Sequence, residues 1–281
     1  MSRPGNAKWV WRLLKWTVAV LLCVIALLPI WWMCNVVFSE AGTALSLSPR
    51  LYPTSISGGL QNINDVLVGG GFVSSLLNST LYATLSAALV VLLASAAAYE
   101  FAHHDFPGRR VLYVLCLAGL MLPLAVIVIP EQRITAGLGW LNTIQGIVVP
   151  TTASAFALFF LTEFMRVVPK ELIEAAKIDG ANHARIFWSV ALPVAKTGVV
   201  TIAILTFISN WASYLWPLVI ANNSRMYPVS LQVAGYFATG AKYPTNIVMT
   251  AALLSAVPVV VFYVIFNRLI VQGIARSGLT G

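Results

Sequence analysis

Six stretches of at least twenty residues contain no Lys, Arg, Asp or Glu, and this feature narrows the fold more than any other. They lie between Lys15 and Glu40, Asp65 and Glu100, Arg110 and Glu131, Arg133 and Glu163, Lys196 and Arg225, and Lys242 and Arg268. A helix rises about 1.5 Å per residue, so about 20 apolar residues cross a hydrocarbon layer of ~30 Å. An unpaired charge at mid-bilayer costs a few kcal/mol or more, which keeps such windows free of charge. Each window holds one span, read as 14–38, 72–98, 111–130, 144–166, 197–221 and 247–271. The expected fold class is therefore an all-α membrane protein of six transmembrane helices. Only 9% of the residues are charged, against about 25% in a soluble domain. The mean hydropathy of +0.86 also excludes an ordinary soluble core.

Orientation follows from the basic residues. With the N-terminus inside, the inner segments hold Arg3, Lys8, Arg12, Lys15, Arg109, Arg110, Arg166, Lys170, Lys177, Arg185, Lys196, Arg268 and Arg276. The outer segments hold only Arg50, Arg133, Arg225 and Lys242. This inward bias puts both termini in the cytoplasm and accounts for the net charge of +8. Nucleic-acid binding does not fit, because no loop gathers the bases with stacking aromatics. The apolar run from Trp16 to Phe38 exceeds the 7–15 residues of a typical signal-peptide core, and no A-x-A site follows, so it reads as a retained first helix. The chain then divides into a cytoplasmic segment 1–13, a membrane domain 14–271 and a cytoplasmic tail 272–281. The outer loop, about 39–71, holds Pro49, Pro53 and Gly58-Gly59, which mark turns. Cys23, Cys34 and Cys116 fall inside spans and read as packing residues. Pro29, Pro123, Pro150, Pro217 and Pro258 also fall inside spans, where each removes an amide donor and favours a kink.

The largest inner loop, within 167–196, has the pattern of two short helices. The first follows Pro169, with Glu171 near its positive end and Leu172, Ile173 and Ala176 on an apolar side. Asp179-Gly180 breaks it. A second helix carries Ile186, Phe187 and Val190, and Leu192-Pro193 ends it. Such a knob suits either docking into a partner's groove or lying in the lipid interface.

The same stretch resembles the EAA motif of ABC importer permeases. Glu174-Ala175-Ala176, Gly180, an aliphatic at Val190, then Leu192 and Pro193 match its spacing. The likeness extends from about residue 10 to the end and is that of carbohydrate-type permeases of the MalG kind. It includes Asn78-Ser79, Ala98-Tyr99, Phe106-Pro107-Gly108-Arg109, Pro123 with Pro130, Leu138 through Thr143, and Gly273 through Gly281. The resemblance implies a type I (MetI-like) fold with a permease core of about 72–267. It also implies a coupling helix formed by Glu174, Ala175, Ala176, Asp179, Gly180, Leu192 and Pro193 in a cleft of a nucleotide-binding subunit. Gly180 would make the turn, and Glu174 would be most exposed to the partner. The implied partners are a second, homologous permease, two ATP-binding cassette subunits, an extracytoplasmic solute-binding protein and membrane lipid. One departure stands out. Many permeases of this kind read Trp-Asn-Glu-aromatic-Leu-aromatic-Pro in the fifth span, where this chain reads Trp211-Ala212-Ser213-Tyr214-Leu215-Trp216-Pro217.

Binding a sugar requires aromatic faces and hydrogen-bonding groups. Asn78 and Tyr82 in the second span, and Asn210, Trp211, Ser213, Tyr214 and Trp216 in the fifth, are the candidates for the substrate pathway. Ser224, Arg225, Tyr227 and Tyr236 on the outer loop 222–246 are the candidates for contact with the binding protein. No GxxxxGK[ST] occurs, so the expected cofactors are none in this chain, with ATP and Mg on the partner subunits. His103-His104-Asp105 reads as a solvated pair rather than a metal site, and Glu163 reads as the partner of Arg166. Glu163 is the only carboxylate these limits place inside a span, so an intramembrane enzyme lacks a catalytic pair. A channel would not need the docking spacing. The expected function is a bacterial plasma-membrane permease for a sugar or sugar-like solute. Glycerol-phosphate compounds and amino sugars are the alternatives.

Overall fold

The computed structural model describes residues 5–39, 52–238 and 242–277. Arg3, the loop residues Pro49 and Arg50, and tail residues 278–281 lie outside the described residues. The α-helices are α1 (Gly5–Val37), α2 (Ile56–Val68), α3 (Phe72–His103), α4 (Arg109–Ala118), α5 (Leu124–Gly137), α6 (Ile144–Val148) and α7 (Ala155–Arg166). They continue as α8 (Lys170–Ile178), α9 (His183–Ile186), α10 (Leu192–Val194), α11 (Lys196–Trp211), α12 (Leu215–Ile220), α13 (Val229–Ala238) and α14 (Thr245–Ser277). Among the described residues there is no strand.

Three helices are long and apolar enough to cross a membrane unbroken: Trp11–Val37, Phe72–His103 and Thr245–Arg268. Three further candidates are bent pairs, giving up to six spans by length and composition. Prolines divide the two classes. Pro29 and Pro258 lie inside α1 and α14, which run on through them. At Pro123 the chain breaks, and Arg109–Met121 meets Leu124–Gly137 at 108°. The residue before a proline is pushed out of the helical region, and Leu122 is extended at φ −87°, ψ 117°. Pro150 starts a single 3-10 turn, after which Ser154 caps α7 by accepting from the Ala157 N–H at 3.2 Å, with a 48° bend. Pro217 falls in the first turn of α12, where its missing donor costs little. The fifth span is interrupted earlier, at 212–214 between α11 and α12.

The chain forms two compact units. One comprises residues through Phe72 together with Val233–Val257. In it, the apolar stretch of α1 is wholly exposed, with Trp9, Leu22 and Leu27 each about 60–70% accessible. Among the described side chains of α1, burial is confined to its end. There Asn62 on α2 donates to the Val37 carbonyl at 2.8 Å, and Asn246 donates to the Asn62 side chain at 2.7 Å. An exposed apolar helix is stable only in lipid or against another apolar surface.

The other unit comprises Val73–Gln232 and the residues from Pro258 onward. Two apolar cores lie among its described residues. One joins Ala94, Ala98 and Tyr99 of α3 to Leu158, Leu161 and Met165 of α7, and to Ile173, Ile186 and Phe187 of the following loop. Gly198 of α11 is buried against the Phe164 ring, where any added Cβ would collide with it. The second core joins Tyr82 of α3, Val128 of α5, Ile147 of α6 and Trp216 of α12.

Candidate functional site

The loop between α7 and α11 forms a knob. Pro169 precedes α8, Glu171 lies in its first turn and Lys177 in its last, each favourable to the helix dipole. The helix ends in a Schellman turn, with the Ala181 N–H on the Ala176 carbonyl (2.9 Å) and the Gly180 N–H on the Lys177 carbonyl (3.0 Å). Gly180 adopts φ +79°, the left-handed value such a turn needs. Asn182 then caps α9 by accepting from the Arg185 N–H at 2.9 Å.

The knob has an inner and an outer side. Ile173, Ile186 and Phe187 are buried, and Ala176, Val190 and Leu192 are partly buried against the same core. Glu174, Ala175, Asp179, Gly180 and Pro193 are exposed, as is Leu172, which the sequence pattern had put on the apolar side. Ile178, beside the turn, is 86% exposed and adds an apolar contact that the motif alone does not mark. The second helix does not end at Leu192-Pro193. It passes through a π-turn at Phe187–Ala191 and runs to Val194. Proline lacks an N–H and clashes with the carbonyl four residues back, and the wider turn before it, with Leu192 N–H on the Phe187 carbonyl, absorbs that conflict. The run His183–Val194 then meets α11 at 81°.

A cavity of about 730 Å³ lies among α3, α5, α7, α11 and α12. Asn210, Ser213 and Trp216 line it, with Thr206, Ser209 and Thr151. Trp216 is almost wholly buried and donates its indole N–H to the Gly146 and Ile147 carbonyls, both at 3.2 Å, so its ring is fixed in place. Glu131 also lines the cavity, and no Lys or Arg does. The span limits read from the sequence placed Glu131 in an outer loop. The 108° break instead starts a new helix at Leu124 that carries it inward. Trp211 is buried elsewhere, and Tyr214 is 43% exposed at the break.

Asn78 and Tyr82 do not line this cavity. Asn78 donates to the Arg225 and Tyr227 carbonyls at 2.8 and 3.1 Å, and Tyr82 to the Met226 carbonyl at 3.3 Å. The Ser79 hydroxyl accepts from the Val229 N–H at 2.8 Å. On its other side the loop is held by Asn142, whose side-chain oxygen accepts from the Asn222 and Asn223 N–H groups at 2.6 and 3.0 Å. Ser224 and Arg225 are exposed on this loop and Tyr227 is half-buried. Tyr236, in the other unit, is buried, edge-on to Tyr243 at 4.8 Å.

Arg166 pairs with Glu163 at 2.7 Å, as their spacing predicts. The histidine pair is not solvated. His103 donates from Nε2 to the Met165 carbonyl at 2.8 Å, and His104 packs on Tyr99 and on His183 of the knob.

Residues 90–276 match the family described as binding-protein-dependent transport system inner membrane component. The chain is 34% identical over 224 residues to the sn-glycerol-3-phosphate transport system permease protein UgpE of Yersinia pestis bv. Antiqua, covering 77% of this chain and 80% of that protein. It is 31% identical over 227 residues to UgpE of Rhizobium meliloti, covering 80% and 79%. Its fold is similar to a chain of a bacterial ABC transporter involved in the import of the acidic polysaccharide alginate, with TM-score 0.83 and 21% identity over 95% of this chain and 99% of that one. It is also similar to a chain of the MetNI methionine ABC transporter in an inward-facing conformation, with TM-score 0.55 and 17% identity over 72% of this chain and 95% of that one.

Proposed function

The chain belongs to the family of binding-protein-dependent transport system inner membrane components, and on that premise we propose what it carries and how it is driven. It is the permease subunit of an ABC importer, ATP hydrolysis belongs to separate subunits, and an ATPase and a binding protein complete the system.

The solute is a neutral, hydroxylated sugar or sugar-like compound. The observation that carries this reading is the cavity lined by Glu131, Asn210, Ser213 and Trp216 with no lining Lys or Arg. Carboxylate, amide and hydroxyl groups hydrogen-bond sugar hydroxyls. The names of the UgpE relatives favour glycerol 3-phosphate as the alternative. A phosphate beside Glu131 would meet a like charge in a site with no cation to offset it.

The chain pairs with a second, homologous permease, and two ATP-binding cassette subunits holding ATP and Mg dock from the cytoplasm. Both termini are cytoplasmic, which puts the knob on the ATPase side and the loop 222–229 on the side of the binding protein. Glu174, Ala175, Asp179 and Gly180 present the contact, Ala176 backs it from the inner side, and Leu192 and Pro193 carry its motion to the 81° elbow before α11. Ser224, Arg225 and Tyr227 meet the binding protein.

Uptake by the assembled transporter, with neutral disaccharides and glycerol 3-phosphate as competing substrates, tests the solute. Neutral sugars should be taken up, and Glu131→Gln should lower their uptake by about tenfold or more, the size expected for a hydrogen bond to a charged group. Uptake of glycerol 3-phosphate alone, indifferent to Glu131→Gln, would overturn the neutral-solute reading.

A further inference from the structure

Glu100 and His104 are four residues apart on the end of α3, so they share one helix face. His183, the first residue of α9, brings a third ligand from the knob. One donor atom from each of the three lies within 4.8 Å of the others. The Glu100 carboxylate oxygen is 3.0 Å from His104 Nδ1, and the His104 and His183 rings lie 4.7 Å apart, 34° from parallel. That oxygen and Nδ1 form an ion pair when His104 is protonated, while the buried Nε2 of His104 has no hydrogen-bond partner.

Two imidazoles and a carboxylate that converge at this spacing have the donor set of a catalytic-type zinc site, His2Glu with a fourth position open to water, and an ion would replace the proton between Glu100 and His104. Ligand atoms about 2.0–2.1 Å from a tetrahedral ion lie about 3.4 Å from each other, close to the separation of Glu100 and His104. His183 is exposed and can turn the remaining distance. The neighbouring His103 is engaged with the Met165 carbonyl and stands outside the cluster.

We propose that Glu100, His104 and His183 form a site for a divalent transition cation of the zinc class, and that the bound ion pins the knob to the end of α3. The pinning half rests on the knob's being the coupling element. The site itself does not. An ion bridging the two elements restrains any knob motion relative to α3, so it acts as a brake on coupling.

The test uses purified full-length chain titrated with Co2+, read by the visible absorption of four-coordinate cobalt and by competition with Zn2+. Wild type should show the band. His104→Ala and His183→Ala should each weaken Co2+ by at least about tenfold, since loss of even an outer partner costs a metal site that much. His103→Ala should leave the band in place, which separates ligation from general damage to this end of the helix. A missing wild-type band, or a band indifferent to His183→Ala, overturns the site. In the assembled transporter, micromolar Zn2+ should slow ATP hydrolysis in wild type and not in His183→Ala. Equal rates in the two, with binding intact, overturn the brake and leave the coupling reading to be judged on Glu174.

Discussion

The two ends of α3 hold their neighbours by different physics. At one end, Asn78, Ser79 and Tyr82 bind the loop 222–229 almost entirely through its backbone carbonyls and N–H groups. At the other, Ala94, Ala98 and Tyr99 meet Ile173, Ile186 and Phe187 through apolar packing. Hydrogen bonds fix a partner by direction and distance, so the loop has one seat. Apolar burial is non-directional, so the knob can pivot while remaining covered. One end of the helix is thus built to position and the other to let a docked element move.

Four substitutions break or sharpen this contrast. Glu174→Lys, on the outer side of the knob, should abolish uptake and co-purification of the ATPase while leaving thermal stability of the purified chain unchanged; retained co-purification would end the coupling reading. Phe187→Ala strikes the inner side and should destabilise the chain by roughly 3–5 kcal/mol, seen as a lower midpoint in a detergent thermal melt. Asn78→Ala removes two bonds to loop carbonyls and should cost about 1–3 kcal/mol, read as faster proteolysis within 222–229. Ser79→Ala leaves the Val229 N–H without its acceptor and should cost about 1 kcal/mol, the smallest change in the same proteolysis assay. If Asn78→Ala destabilised as much as Phe187→Ala, the two ends would not differ in kind.

The spans were legible because the energy of a charge in lipid leaves a mark twenty residues wide. The knob was legible too, since Asp179-Gly180 breaks the helix and Ile173 with Ala176, then Ile186 and Phe187 with Val190, show helical spacing. What escaped the sequence depended on neighbours far along the chain. Pro123 signals a kink, but its 108° angle, which turns Glu131 from a loop residue into a cavity residue, depends on what α4 and α5 pack against. Asn78 offers an amide equally suited to sugar or backbone, and only the return of 225–227 to its side decides the matter. The His103-His104 pair reads as solvated because nothing local reveals that Met165 and His183 come to meet it. Ser213 shares its cavity with a carboxylate supplied by a different helix, which its own segment does not reveal.

The π-turn at Phe187–Ala191 has a consequence for how this region tolerates change in length. A π-turn holds one residue more than the α-turn it replaces, and one residue is about 100° of helix rotation. The wide turn therefore works as a phase setting between α9 and the stretch leading into α11. Deleting a single residue from it would restore the conflict at Pro193 that the wide turn absorbs, and would rotate Ile186 out of its pocket or carry the elbow at Ala195 round to another face. The segment is thus less tolerant of losing one residue than of replacing several.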